Sequence, residues 1–181
     1  MKRAEKYFPK IQVVCDDITK LKVDGFVYYT GPDLQLGSGF GGMIRRRGGA
    51  AIQKQLNELA PRRVTESVLT DAGKLDVKFI VHSVGPELGE PQTEDKLERA
   101  IVNALELCET MKAERVAIPP MGTGFHGVSV ERCASTMMAA FEMFFKQNRC
   151  LSELIICCRD PWMLPVFVGI LAKGEGKGDQ E

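Results

Sequence analysis

The chain has 181 residues, with 24 basic and 24 acidic side chains balancing to zero formal charge, and 44% of its residues are hydrophobic. The balance excludes a protein drawn to nucleic acid or anionic lipid by bulk charge, and the length suits one domain with a sizeable core. No apolar run approaches the roughly 20 residues needed to cross a bilayer, and residues 1–10 lack the apolar stretch of a secretion signal.

In chain order, β-rich runs fall at residues 11–15, 25–29, 66–70, 77–83, 115–119 and 154–158. The second, fourth, fifth and sixth are nearly continuous apolar runs, as expected of strands covered on both faces. One helix is expected over 42–59, burying Ile44, Ile52 and Leu56. A second starts at the cap Thr93 and carries Leu97, Ile101, Leu105, Cys108 and Met111 on one stripe. A third begins at Ser129, with Val130, Cys133, Met137, Phe141 and Phe144 inward, and a short last helix covers 163–171. Asp71-Ala72-Gly73-Lys74 reads as a hairpin turn. The alternation of strand and helix elsewhere predicts a three-layer α/β/α sandwich around a mixed, mostly parallel six-stranded sheet. Residues 1–172 read as a single domain and 173–181 as a frayed tail.

Six cysteines are present, none in CxxC spacing, with only His82 and His126 to complete a metal site. Five of them sit in periodic segments as small apolar residues. They read as structural thiols of a reduced, cytoplasmic protein that needs no metal and no cofactor.

In open α/β sheets, ligands bind on the loops beyond the carboxyl ends of the strands. Two such loops are unusually rich in glycine: Leu36-Gly37-Ser38-Gly39-Phe40-Gly41-Gly42 after the second strand, and Pro119-Pro120-Met121-Gly122-Thr123-Gly124-Phe125-His126-Gly127 after the fifth. Each runs towards a helix, and glycine loops leading into a helix N-terminus cradle phosphate. Two of them suggest a ligand with two phosphates, or a phosphate and a sugar, gripped from both sides. Neither loop is followed by the Lys-Ser or Lys-Thr pair of a P-loop.

Several segments, in order, resemble the macro domain family over residues 11–171: Asp16-Asp17-Ile18-Thr19 (the family's Gly-Asp-Ile-Thr), Val23-Asp24-Gly25-Phe26-Val27, the first glycine loop, His82-Ser83-Val84-Gly85-Pro86, and Pro119-Pro120-Met121-Gly122-Thr123-Gly124. The resemblance implies binding of ADP-ribose or a related nucleotide, free or protein-linked. It implies that Asp17 accepts a hydrogen bond from the adenine amino group and that the Ile18 backbone faces the ring. It further implies that the first loop, with Gly37, Ser38, Gly39, Phe40 and Gly41, and the second, with Gly122, Thr123, Gly124, Phe125, His126 and Gly127, close on the diphosphate from two sides. Arg159 or Trp162 would stack on the adenine, from position only.

Two departures bear on activity. Hydrolytic members carry Asn-Ala-Ala-Asn after the second strand, where this chain has Tyr28-Tyr29-Thr30-Gly31, and they place an aspartate in the first glycine loop, where this chain has Gly41-Gly42. Without a water-orienting amide or a positioned base, hydrolysis loses its obvious agents, so the reading leans to a binder. The alternatives are an ADP-ribosyl hydrolase and a module repurposed for nucleic acid or a protein partner. The second draws on the Arg45-Arg46-Arg47 run, which otherwise reads as a solvated helix face; nucleic acid is not favoured, and no membrane is expected. Taken alone, Asp17 would be a turn former and His82 a structural histidine. Of the two tyrosines, one is expected in the core and the other in the place of the missing asparagine.

Overall fold

The computed structural model describes residues 10–87, 89–124, 127–147 and 149–175, with side chains through residue 172. Six strands, β1 (Lys10–Cys15), β2 (Gly25–Thr30), β3 (Ser67–Thr70), β4 (Phe79–Val84), β5 (Arg115–Ile118) and β6 (Glu153–Cys158), form one sheet in the order β1-β6-β5-β2-β4-β3. Every pairing is parallel except β3 with β4, which is antiparallel. The connection between them covers residues 71–78, longer than the four-residue turn expected at 71–74, and its turn is closed by Leu75 N donating to Ala72 O at 3.1 Å.

Strand side chains alternate between two cores. Val27, Val81, Val116, Ile118, Leu154, Ile156 and Cys158 face the layer made by α3 (Thr93–Thr110), α4 (Val130–Phe144) and α5 (Leu164–Glu175). Phe26, Ile80, Ala117, Ile155 and Cys157 face the opposite layer of α1 (Phe40–Gly48) and α2 (Ala50–Leu59). The molecule is the expected three-layer sandwich, and Cys157 and Cys158 do point to opposite faces.

The single helix expected over 42–59 is two helices. Gly49 takes φ 92° and ψ 174°, a conformation open to glycine at little cost, and ends α1 before α2 begins. Ile44, Ile52 and Leu56 are nonetheless buried as expected. Thr93 is the first residue of α3 and not its cap; Gln92 holds the cap position in left-handed backbone. Met111, placed on the α3 stripe, is 45% exposed because the helix has ended by then. Cys15, read as apolar filling, is exposed at the end of β1. Helix α5 continues to Glu175, past the expected start of the tail. Among the described residues, no helix is long and apolar enough to cross a membrane.

Opposite the loops, Asp24 ties three strands together at their amino ends. Its carboxylate accepts from Glu114 N and Arg115 N, both at 2.9 Å, and from Lys78 Nζ at 2.7 Å. Burial works to raise this carboxyl, but Lys78 and the two backbone N–H groups outweigh it and hold the pKa below its usual value. Asp24→Ala should lose about 2 kcal/mol of stability at neutral pH. Because the folded-state pKa is depressed, that contribution is present above the unfolded carboxylate value and fades as pH falls through the folded one. Urea unfolding of both proteins from neutral to acid pH should therefore show the gap closing.

Candidate functional site

A cleft of about 820 Å³ opens over the carboxyl ends of β2, β4, β5 and β6. Its walls are the two glycine loops. Gly37, Ser38, Gly39 and Phe40 line one side, Gly122, Thr123 and Gly124 the other, and Arg159, Asp160 and Trp162 close the β6 end.

The first loop is held from beneath. Leu34 and Leu36 are buried in the α1–α2 core, and Gln53 of α2 accepts from Leu36 N at 2.9 Å and donates to Leu34 O at 3.3 Å. Gly39 is the N-cap of α1, with φ 61° and ψ −129° and no side-chain hydrogen bond to the first turn. A β-carbon could not take up that backbone without strain, and the first-turn N–H groups of α1 lack a capping side chain. The second loop is anchored by fully buried Met121. Its own bonds shape it: Thr123 Oγ1 to Pro120 O at 3.0 Å, Val128 N to Gly122 O at 3.0 Å, and Gly127 N to Gly124 O at 3.1 Å.

Tyr28 and Tyr29 form the floor, and neither behaves as expected. They leave β2 on opposite faces, both half-buried, and each props one loop. The Gly37 backbone acts to lower the Tyr28 phenol's pKa against the larger effect of burial, and any side chain on Gly41 would collide with that phenol. Tyr29 donates to Pro86 O at 2.6 Å, its ring fills the space a β-carbon on Gly85 would need, and its hydroxyl lies 3.5 Å from where one would stand on Gly122. Gly41 and Gly85 are thus required by side chains from β2 that occupy their space.

Burial raises both phenols, so they remain neutral hydrogen-bond donors in the physiological range. Behind Tyr28, fully buried His82 packs edge-on to its ring at 5.9 Å between centroids and pairs Nε2 with Thr70 Oγ1 at 2.9 Å. Burial pushes the imidazole down to about 3. It is the structural histidine the sequence suggested, uncharged and outside the cleft lining.

Of the residues singled out from the sequence, Gly37, Ser38, Gly39, Phe40, Gly122, Thr123, Gly124 and Arg159 line the cleft. The Arg159 Nη1 atom lies 3.0 Å from the β-carbon position of Gly39, so the guanidinium reaches from the β6 loop to the first glycine loop. Gly41 sits beneath the loop and Gly127 in the return from the second. Asp17 and Ile18 are not among the cleft-lining residues: Asp17 caps the 3-10 turn Ile18–Lys20, its Oδ1 accepting from Thr19 N at 3.0 Å and Thr19 Oγ1 at 2.6 Å, and Ile18 is buried. Phe125 and His126 lie outside the described residues. Arg45, Arg46 and Arg47 are exposed in the last turn of α1, outside the lining. Sequence reasoning missed three acidic lining residues, Asp160 beside Arg159 and, at the other end, Asp33 and Glu87. Asp33 and Glu87 each lie three residues past a strand-end pair, Thr30 and Val84, a signal readable once β2 and β4 are known to be neighbours.

Gly85→Ala should lower stability by about 2 kcal/mol, since overpacking against a held ring forces a shift. In a Tyr29→Ala background the same change should cost little. A double-mutant cycle in urea measures this coupling.

The comparisons with known proteins agree on what this architecture is. The profile of the Macro domain family matches residues 30–137. A Saccharolobus solfataricus protein of unassigned role is 34% identical over 168 residues, covering 91% of this chain and 93% of its own. A Salmonella typhimurium protein named O-acetyl-ADP-ribose deacetylase is 30% identical over 173 residues, covering 91% of this chain and 95% of its own. Among solved structures, the Oceanobacillus iheyensis macrodomain with ADP superposes with a TM-score of 0.89 at 22% identity over 96% of each chain. The Trypanosoma brucei macrodomain in complex with ADP-ribose does so at 0.84 and 18% identity, over 93% of this chain and 72% of its own. This chain belongs to the macro domain family.

Proposed function

We propose that the protein binds ADP-ribose, free or attached to a protein, and acts as a reader more than as a hydrolase. The observation that carries this is the pairing of two glycine loops across one cleft, the first opening the side-chain-uncapped N-terminus of α1 through Gly39. Diphosphate between them would receive backbone N–H donors and the positive end of a helix dipole. Adenine then lies towards β1 and β6. There, both described bonds to Asp17 use Oδ1, and Oδ2 is offered to the adenine amino group. Arg159 and the 63% exposed Trp162 supply flat faces for stacking. The distal ribose lies over Tyr28, Tyr29 and Thr30.

The leaning to a reader rests on chemistry. The tyrosines are neutral, His82 is neutral and buried away, and the asparagine and loop aspartate of the hydrolytic pattern are replaced. The Salmonella relative's name favours a second reading, removal of an acyl or protein group from ADP-ribose. Backbone N–H groups of the second loop would then stabilise developing charge.

Calorimetry separates these readings. ADP-ribose should bind with micromolar affinity, about −8 kcal/mol. Asp17→Ser keeps a capping oxygen for the 3-10 turn but no carboxylate, and should weaken binding roughly tenfold, or about 1.4 kcal/mol. An unchanged affinity removes Asp17 from the site, and no heat from wild-type protein rejects the nucleotide. Turnover of O-acetyl-ADP-ribose or ADP-ribosylated protein at high enzyme concentration would favour the second reading.

A further inference from the structure

The charges lining the cleft are unevenly placed. At the β6 end Arg159 extends to the first glycine loop, with Asp160 Oδ2 3.9 Å from its Nε. At the β2–β4 end the lining is acidic: Asp33 and Glu87 stand there. Strand pairing brings their two loops together, because Thr30 and Val84 are register partners and Gly85 N donates to Thr30 O at 3.4 Å.

Both side chains are exposed at the rim, and the local backbone of each is held. Asp33 Oδ1 accepts from Gln35 N at 3.3 Å, within the loop that leaves β2. The Glu87 backbone N–H is held by Glu90 Oε1 at 2.9 Å. Beyond burial, Asp33 pushes up the Tyr28 phenol, and Cys133, then Glu90, then Glu87 push up that of Tyr29. Between them is Thr30, a lining residue only 3% exposed whose Oγ1 is buried without a hydrogen-bond partner. A buried hydroxyl in that state gains from a polar group brought to it by a ligand.

Resting on the nucleotide reading above, we propose that Asp33 and Glu87 are specificity residues: they select ADP-ribosyl ligands whose distal ribose carries a neutral or cationic group, and reject those ending in phosphate. A terminal phosphomonoester carries about −1.5 to −2 charge at neutral pH. Placed over Tyr28, Tyr29 and Thr30 it would meet two carboxylates, and the described lining offers no cation at that end. A free ribose hydroxyl, or ADP-ribose joined to an arginine side chain, meets no such repulsion. The guanidinium of the latter is complementary to the carboxylates.

The test compares ADP-ribose with ADP-ribose 1″-phosphate by calorimetry on wild-type protein and on Asp33→Asn/Glu87→Gln. The wild type should prefer ADP-ribose by at least about tenfold, the double variant by no more than about threefold. The wild-type preference should also shrink between ~50 and ~500 mM salt, as a screened charge effect must. This second readout needs no variant. Equal affinities in the wild type, a preference for the phosphate, or a preference that survives the double substitution would overturn the assignment while leaving the nucleotide site standing. Absence of ADP-ribose binding to the wild type would remove both.

Discussion

Two consecutive tyrosines at the end of β2 set the geometry on which the candidate site depends. A strand sends neighbouring side chains to opposite faces, so Tyr28 and Tyr29 cannot share a role. One goes under the loop that follows its own strand, the other under the loop that follows β4, at Gly85 and Pro86. Each phenol takes the volume a side chain would need at a glycine, Gly41 on one side and Gly85 on the other. Tyr29 also donates a hydrogen bond to Pro86 O. The shape of the first glycine loop thus follows in part from packing beneath it.

This arrangement accounts for the departure from the hydrolytic pattern. Where an asparagine would offer an amide to a ribose or a water, the chain has rings that support backbone. Among the described residues, the two tyrosines are held neutral by burial and His82 lies outside the cleft lining, so none of these three replaces the missing asparagine or aspartate as an agent of proton transfer. Selectivity must come from the rim: Arg159 towards one end, Asp33 and Glu87 at the other.

Much of this was legible in the sequence. Continuous apolar strands, the turn signal at 71–74 and the helical stripes led to the three-layer sheet, and glycine counting led to both loops. What was not legible has specific causes. The break at Gly49 hides within an unbroken helical periodicity, because Ile44, Ile52 and Leu56 stay in phase across it. The end of α3 before Met111 is set by capping geometry that hydrophobic spacing does not report. Asp33 and Glu87 are far apart in the chain and meet the same cleft only because β2 and β4 are neighbours, a fact of sheet order. The double use of the tyrosines could not be read at all, since Gly85 and Gly41 reveal their purpose only when the rings are seen against them.

The central claim is that a nucleotide is held by loop backbone propped on these rings. Amide chemical shifts during an ADP-ribose titration test it most directly. The account predicts saturable shifts at the N–H groups of Gly37 to Gly41 and Gly122 to Gly124, persisting at raised salt. Shifts confined to Arg45, Arg46 and Arg47 and vanishing with salt, or no shifts in either glycine loop, would contradict it.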